Sequence, residues 1–172
     1  VKLQDIVAAS TGQTWNNYFN TKLKNKIGVT GLWAIVDGNL SVYNSNTRSM
    51  ARFGLLALNK GKWENNQIVP ESYMQNATTT SQNINLSYGY LWWLNGKSSY
   101  HLPQTQFQFS GSIISTAPSD MYCALGKDDQ KIYVIPSRKI VIIRMGDAAD
   151  GSNMALSDFD EVLWEKISAV IN

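Results

Sequence analysis

Acyl transfer by a serine requires a base beside the hydroxyl, because a serine at its free pKa is almost wholly un-ionised near neutral pH. Ser-x-x-Lys supplies that base by setting an amine one helical turn from the hydroxyl. No serine in the 172 residues has lysine three positions later, and Gly-x-Ser-x-Gly is absent as well. Tyr18-Phe19-Asn20 spells Tyr-x-Asn, but it lies in a segment patterned as an amphipathic helix and is given no catalytic weight. Ala124-Leu125-Gly126-Lys127 offers a different chemistry. A glycine near a strand end can leave a backbone N–H aimed at a developing oxyanion, or it can simply end the strand in a turn.

Other chemistries find less support. Asp128 and Asp129 adjoin, yet neighbours on a strand point to opposite faces and neighbours in a turn are solvated, so a carboxylate pair is not expected. Asp147, Asp150 and Asp158 lack the spacing of a calcium loop and read as an acidic surface loop. The single cysteine, Cys123, falls in the apolar run 121–125 and reads as a small buried hydrophobe. The single histidine, His101, precedes Pro103 in a loop-like stretch. These counts argue against a cysteine nucleophile and a Cys/His zinc site, and neither a metal nor an organic cofactor is expected.

With 15 basic and 13 acidic residues, the net charge of +2 gives no footprint for nucleic acid. Lys22, Lys24 and Lys26 alternate with Leu23, Asn25 and Ile27 as the solvated side of a helix would. No apolar run reaches the roughly 18 residues of a membrane span, and no charged-then-apolar signal pattern opens the sequence. The first residue is Val1, inside an amphipathic pattern, from which further polypeptide upstream is expected. At 44% hydrophobic and 16% charged, the chain has the composition of a packed domain rather than a disordered one.

The elements that must position any site follow from periodicity. Leu3, Ile6, Val7 and Ala9 predict a helix stopped by Gly12, and Thr14 is placed to cap a second helix with a Trp15, Tyr18, Phe19, Leu23 stripe ending at Gly28. The stretch 29–46 reads as irregular. Residues 47–58 predict a third helix capped by Thr47 and ended by Asn59-Lys60-Gly61, in which Gly54 marks close packing. Pro70 begins a short helix ending near Asn76. Strands are expected at 88–94, 121–126, 131–135 and 139–145, the last two joined across Pro136-Ser137-Arg138. Ser157 is placed to cap a terminal helix whose Phe159, Val162, Leu163, Ile167, Val170 and Ile171 would cover one face of the sheet. The expected layout is α+β over 1–172, mostly helical in 1–86, with sheet and terminal helix in 87–172.

Four stretches together carry a resemblance. They are Thr47-Arg48-Ser49-Met50-Ala51-Arg52-Phe53-Gly54-Leu55-Leu56-Ala57-Leu58-Asn59-Lys60-Gly61-Lys62-Trp63; Ile68-Val69-Pro70-Glu71; Tyr88-Gly89-Tyr90-Leu91-Trp92-Trp93; and Ala124-x-Gly126-x-x-x-Gln130-Lys131-Ile132-Tyr133-Val134-Ile135-Pro136. In order and spacing they resemble the C-terminal half of the class C β-lactamase-related serine hydrolases of the penicillin-binding-protein superfamily. Thr11-Gly12-Gln13 and Ile27-Gly28-Val29-Thr30-Gly31 add a likeness to the 6-aminohexanoate-dimer hydrolase and esterase branch.

The resemblance implies a β-lactamase/DD-peptidase-like fold, incomplete in this chain, with the site between a helical region and an antiparallel sheet. It implies an acyl-enzyme formed on a Ser-x-x-Lys serine with help from Tyr-x-Asn, both upstream of the matched region. It places Ala124-Leu125-Gly126 at the third motif, which is Lys-Thr-Gly or His-x-Gly in the family. Alanine in the first position removes the contact to a substrate carboxylate and favours an esterase or amidase over a typical β-lactamase. Gly126 and the backbone N–H of Lys127 would then serve the oxyanion hole, and Ala124, Leu125, Tyr88, Tyr90 and Trp92 would meet a small-molecule acyl substrate. The partner implied is the missing N-terminal half or a second chain, and separation from the rest of the sheet predicts exposed apolar surface. Export from bacterial cells is the compartment implied. Asp129 departs from the glycine this branch often carries before Gln130. A non-catalytic relative that keeps the aromatic cleft for ligand or partner contact is the rival.

Overall fold

A computed structural model describes residues 1–38, 40–103, 105–149, 156 and 158–171. The chain opens with α1 (Lys2–Thr11), closed by Gly12 in the left-handed conformation at φ 66°. Thr14 caps α2 (Trp15–Phe19) by accepting from Asn17 N–H at 3.3 Å. The helix continues through a π turn at Asn20–Lys24 into α3 (Asn25–Ile27), which ends at Gly28 with φ 65°.

The stretch 29–46 is not irregular: β1 (Gly31–Val36) and β2 (Leu40–Ser45) pair antiparallel from Gly31↔Ser45 to Val36↔Leu40. Asp37-Gly38, both at positive φ, makes the turn. One face of the hairpin sets Trp33 and Tyr43 against Trp15 and Phe19, with ring centroids 5.0–5.4 Å apart across α2 and the hairpin. Next comes α4 (Thr47–Leu58), capped by Asn46 rather than Thr47, since the Asn46 side chain accepts from Ser49 N–H at 2.9 Å. A short hairpin, β3 (Lys62–Trp63) with β4 (Asn66–Gln67), leads to α5 (Glu71–Ala77).

The expected strand at 88–94 shrinks to β5 (Trp93–Leu94) plus a single bridge from Tyr88 to Trp93. Between them the chain bends: Gly89 N–H donates to Trp92 O, Tyr90 N–H donates to Ala77 O, and Leu91 sits at φ 63°. A Cβ on Gly89 would lie 2.1 Å from Ala77 O, so the bend against α5 requires glycine. A small hairpin, β6 (Ser99–His101) with β7 (Gln108–Ser110), precedes β8 (Tyr122–Gly126), β9 (Gln130–Ile135), β10 (Ile140–Arg144) and α6 (Asp158–Ile171). Ser157, the expected cap of α6, lies outside the described residues.

The main sheet is antiparallel in the order β10-β9-β8-β5. Its period-2 alternation separates two cores. Ile132, Val134, Tyr122, Leu94 and Trp92 face α4 and α5. Tyr133, Ile135, Cys123 and Trp93 face α6 and its fully buried Trp164. Gly54 lets α4 lie on the sheet, because a Cβ there would come within 2.5 Å of Val141 Cγ1. On α6, Val162 and Val170 face solvent while Asp160 and Trp164 point inward, so the buried stripe is rotated from the one the apolar positions suggested. No helix of the described residues is long and apolar enough to cross a membrane.

Candidate functional site

Between α4, α5, the bend at 88–92 and the end of β8 lies a cavity of about 300 Å³. Phe53, Met74, Tyr90, Leu91, Trp92 and Ala124 are among its walls. The Phe53 and Trp92 rings stack at 6.1 Å across it. Ala124, Tyr90 and Trp92, three of the residues singled out from sequence, are thus brought together. Tyr88 and Leu125 are not: both pack into the core on the α6 side of the sheet, Tyr88 edge-on to Trp93 at 4.9 Å. The physical reason for Leu125 is the strand period, which turns it away from Ala124. A larger open groove of about 590 Å³ runs along α3 and α4, but its Arg52 is committed to the Ile27 and Gly28 carbonyls at 3.2 and 2.7 Å, which makes it a clamp between helices.

Beside the cavity, β8 outruns its neighbour. β5 reaches only Cys123 and Tyr122, so from Ala124 to Gly126 the outer edge of β8 has no partner strand among the described residues. Asn95 N–H donates to Met121 O at 2.9 Å, which makes that pair and the Trp93–Cys123 pair the hydrogen-bonded ones of the ladder. The odd-numbered residues of β8 therefore turn their backbone groups to this edge. Gly126 is extended, at φ −112° and ψ 166°, so the peptide it shares with Lys127 continues the alternation and the Lys127 N–H faces outward.

The turn that follows, Lys127–Asp129, is tightly held. Asp128 and Asp129 both sit at φ 56°, a conformation that costs most L residues about 1–2 kcal/mol each. Gln130 Nε2 donates to Asp128 O at 2.8 Å and to Gly146 O at 2.5 Å, and its Oε1 accepts from Gly146 N–H. Arg144 donates to the Asp128 and Asp129 carbonyls at 3.0 and 3.2 Å while lying over the Phe159 ring.

The adjacent acids of the turn are not both solvated. Asp129 is fully buried, with its carboxylate 3.1 Å from Lys131 Nζ and accepting from Ala149 N–H at 2.9 Å. Lys131 in turn pairs with Asp160 of α6 at 2.9 Å, and Tyr133 donates its hydroxyl hydrogen to Asp160 Oδ1 at 2.5 Å. Burial pushes the Asp129 carboxyl up, but the Ala149 N–H and the Lys131 ammonium outweigh it and hold the group below the usual carboxylate range. Burial, with the Asp160 charge, pushes the Tyr133 hydroxyl up and keeps it a donor.

Reading the sequence missed this cluster. Its signal was Lys131, which shares a strand face with Tyr133 and Ile135 and so needs a counter-ion, and Asp160, one turn before Trp164 on the inward stripe of α6. Among the described residues no group of three or more His, Cys, Asp or Glu is placed to hold a metal ion. Several serine hydroxyls donate to backbone carbonyls, as Ser45 and Ser87 do, or to carboxylates, as Ser115 and Ser137 do, while Ser49 and Ser99 accept from Thr30 N–H and Gln108 Nε2.

Solved structures share this architecture. A protein from Bacillus anthracis designated a 6-aminohexanoate-dimer hydrolase superposes with a TM-score of 0.64 at 22% identity, covering 97% of this chain and 42% of its own. One from Bacteroides dorei DSM 17855 designated a beta-lactamase gives 0.66 at 13% identity, covering 98% of this chain and 55% of its own. The chain therefore carries a β-lactamase-like fold and spans about half the length of these structures. No protein-family model matches the sequence, and no curated protein does.

Proposed function

We propose that residues 1–172 form the sheet-and-pocket half of a serine hydrolase that works through an acyl-enzyme, acting as an esterase or amidase. The observation that carries this is the edge of β8 at Ala124–Gly126, without a partner strand among the described residues, set beside an apolar cavity. In this reading the Lys127 N–H donates to the oxyanion of the tetrahedral intermediate, and Gly126 lets the substrate approach the strand. Losing such a donor costs about 2.7–4 kcal/mol of transition-state stabilisation.

Ala124, Tyr90 and Trp92 line the acyl side of the site, and the absence of a cation at Ala124 suits an uncharged acyl group. The nucleophile and base come from a polypeptide bearing Ser-x-x-Lys and Tyr-x-Asn, which also covers the apolar surface near the cavity, where Leu91 is 66% exposed.

A fluorophosphonate probe and a p-nitrophenyl ester test the assignment. The 172-residue chain alone should take no label and release no p-nitrophenol. Combined with a polypeptide carrying the two missing motifs, the label should appear on that polypeptide and hydrolysis should begin. Turnover by the purified 172 residues alone would sink the assignment of the nucleophile elsewhere.

A further inference from the structure

The buried cluster behind the sheet joins three elements, the turn after β8, strand β9 and helix α6. Asp129 belongs to the turn that follows the β8 edge, Lys131 to β9 and Asp160 to the first turn of α6. All three charged side chains are fully buried, and the sum of their formal charges is negative. Such an arrangement is a poor way to add stability, since buried ions replaced by apolar groups often leave a fold no weaker. It is a good way to fix a position, because a buried carboxylate with a single low-energy place for its ammonium partner tolerates little displacement.

The turn has reason to need fixing: two consecutive residues lie at positive φ, directly after the peptide whose N–H faces the open edge. Lys131 is the link, with Asp160 at 2.9 Å on one side and Asp129 at 3.1 Å on the other.

We propose that Asp160 is a positioning residue for the Lys127 backbone donor, acting from α6 through Lys131 and Asp129 on the turn. The assignment of a purpose to that donor rests on the function proposed above; the mechanical coupling does not. Asp160 stands on α6 with Lys131 between it and Asp129, so a loss confined to the turn separates positioning from ordinary structural support.

Residue-resolved hydrogen exchange on the full chain reads the turn without substrate. In Asp160→Asn, which keeps an acceptor for Tyr133 but removes the charge holding Lys131, the hydrogen-bonded amides of the turn, Gln130 N–H on Lys127 O and Gly146 N–H on the Gln130 side chain, should exchange at least tenfold faster. Val134 and Val141, in the sheet interior, should keep their protection. Asp129→Asn leaves Lys131 and Asp160 as a balanced pair, stays folded, and should loosen the turn to a similar degree.

Unchanged turn exchange in Asp129→Asn overturns the proposal even if Asp160→Asn fails to fold. A uniform rise across sheet and turn overturns it too. Since no acyl chemistry is measured, failure of the hydrolase reading would show in the labelling assay and leave these exchange rates as predicted.

Discussion

Gly54 of α4 and Val141 of β10 approach so closely that a single added carbon at position 54 would lie 2.5 Å from Val141 Cγ1 and 3.1 Å from Ile132 Cγ2. Alanine would gain about 1 kcal/mol in helix propensity. Overpacking a core typically costs about 1–3 kcal/mol, and the contact here is with a β-branched side chain that has little rotamer freedom. Gly54→Ala should therefore cost up to about 2 kcal/mol net, read as a lower urea midpoint. In a Val141→Ala background the same change should be neutral or stabilising, which would locate the cost in this one contact.

Glu161 secures the start of α6 to the loop before β8. Its carboxylate accepts from the backbone N–H groups of Ser115 and Thr116 at 2.6 and 3.1 Å and from both hydroxyls at 3.2 and 2.8 Å. Burial pushes the carboxyl up, but the Ser115 and Thr116 donors prevail and hold it below its usual range. A depressed folded pKa contributes stability above the unfolded value of about 4.3, which is lost as pH falls through the folded value. Glu161→Gln should cost about 1–2 kcal/mol at pH 7. The gap to the parent should narrow as pH drops below about 4, where the parent's carboxyl takes up its proton. A gap that stays constant with pH would mean that charge plays no part in the clamp.

Cys123 is fully buried on the α6 face of β8, and burial pushes its thiol pKa up, so both access and ionisation oppose its reaction. With one cysteine in the sequence, a thiol reagent reports on a single place. Ellman's reagent should leave the native chain unmodified over a time in which the urea-unfolded chain reacts fully. Equal rates in the two states would show that α6 does not cover the sheet.

These relationships differ in how far the sequence discloses them. The β8–β9–β10 meander is legible because alternating apolar residues are punctuated by Gly126 and Pro136, and Gly54 is legible because a glycine in a helix needs a neighbour to explain it. The β1–β2 hairpin has one sequence signal, Asp37-Gly38 after the apolar run 31–36, but the mixed residues of 40–46 obscured the second strand. Aromatic composition misleads at 88–94, where contact with the Ala77 carbonyl bends the chain and leaves only Trp93 and Leu94 in a strand. Of the site, Ala124, Tyr90 and Trp92 share one cavity, whereas Tyr88 and Leu125 lie behind the sheet, a choice that register alone decides. The pairing of Lys131 with Asp160 spans 29 positions and no local pattern announces it; only the oddity of a lysine on an apolar strand face does.

That lysine gives the sharpest prediction. Lys131→Met keeps the volume of the side chain but leaves Asp129 and Asp160 buried without their ammonium. Breaking a buried ion pair from one side typically costs about 3–5 kcal/mol, enough to unfold a marginal domain. The sign of the pH dependence identifies the cause. In the parent the Asp129 carboxyl is held low, so its contribution is present at neutral pH and disappears in acid. In the variant the same carboxyl keeps the Ala149 N–H but loses the Lys131 ammonium, so its pKa should rise from the parent's, and the penalty felt at neutral pH should ease as the group is protonated. Urea midpoints should accordingly lie far apart at pH 7 and converge on acidification. Adding Asp129→Asn and Asp160→Asn to Lys131→Met removes every charge from the cluster and should recover most of the loss at pH 7. If the triple variant is no more stable than Lys131→Met, the lysine matters for its packing and not for the charges it balances.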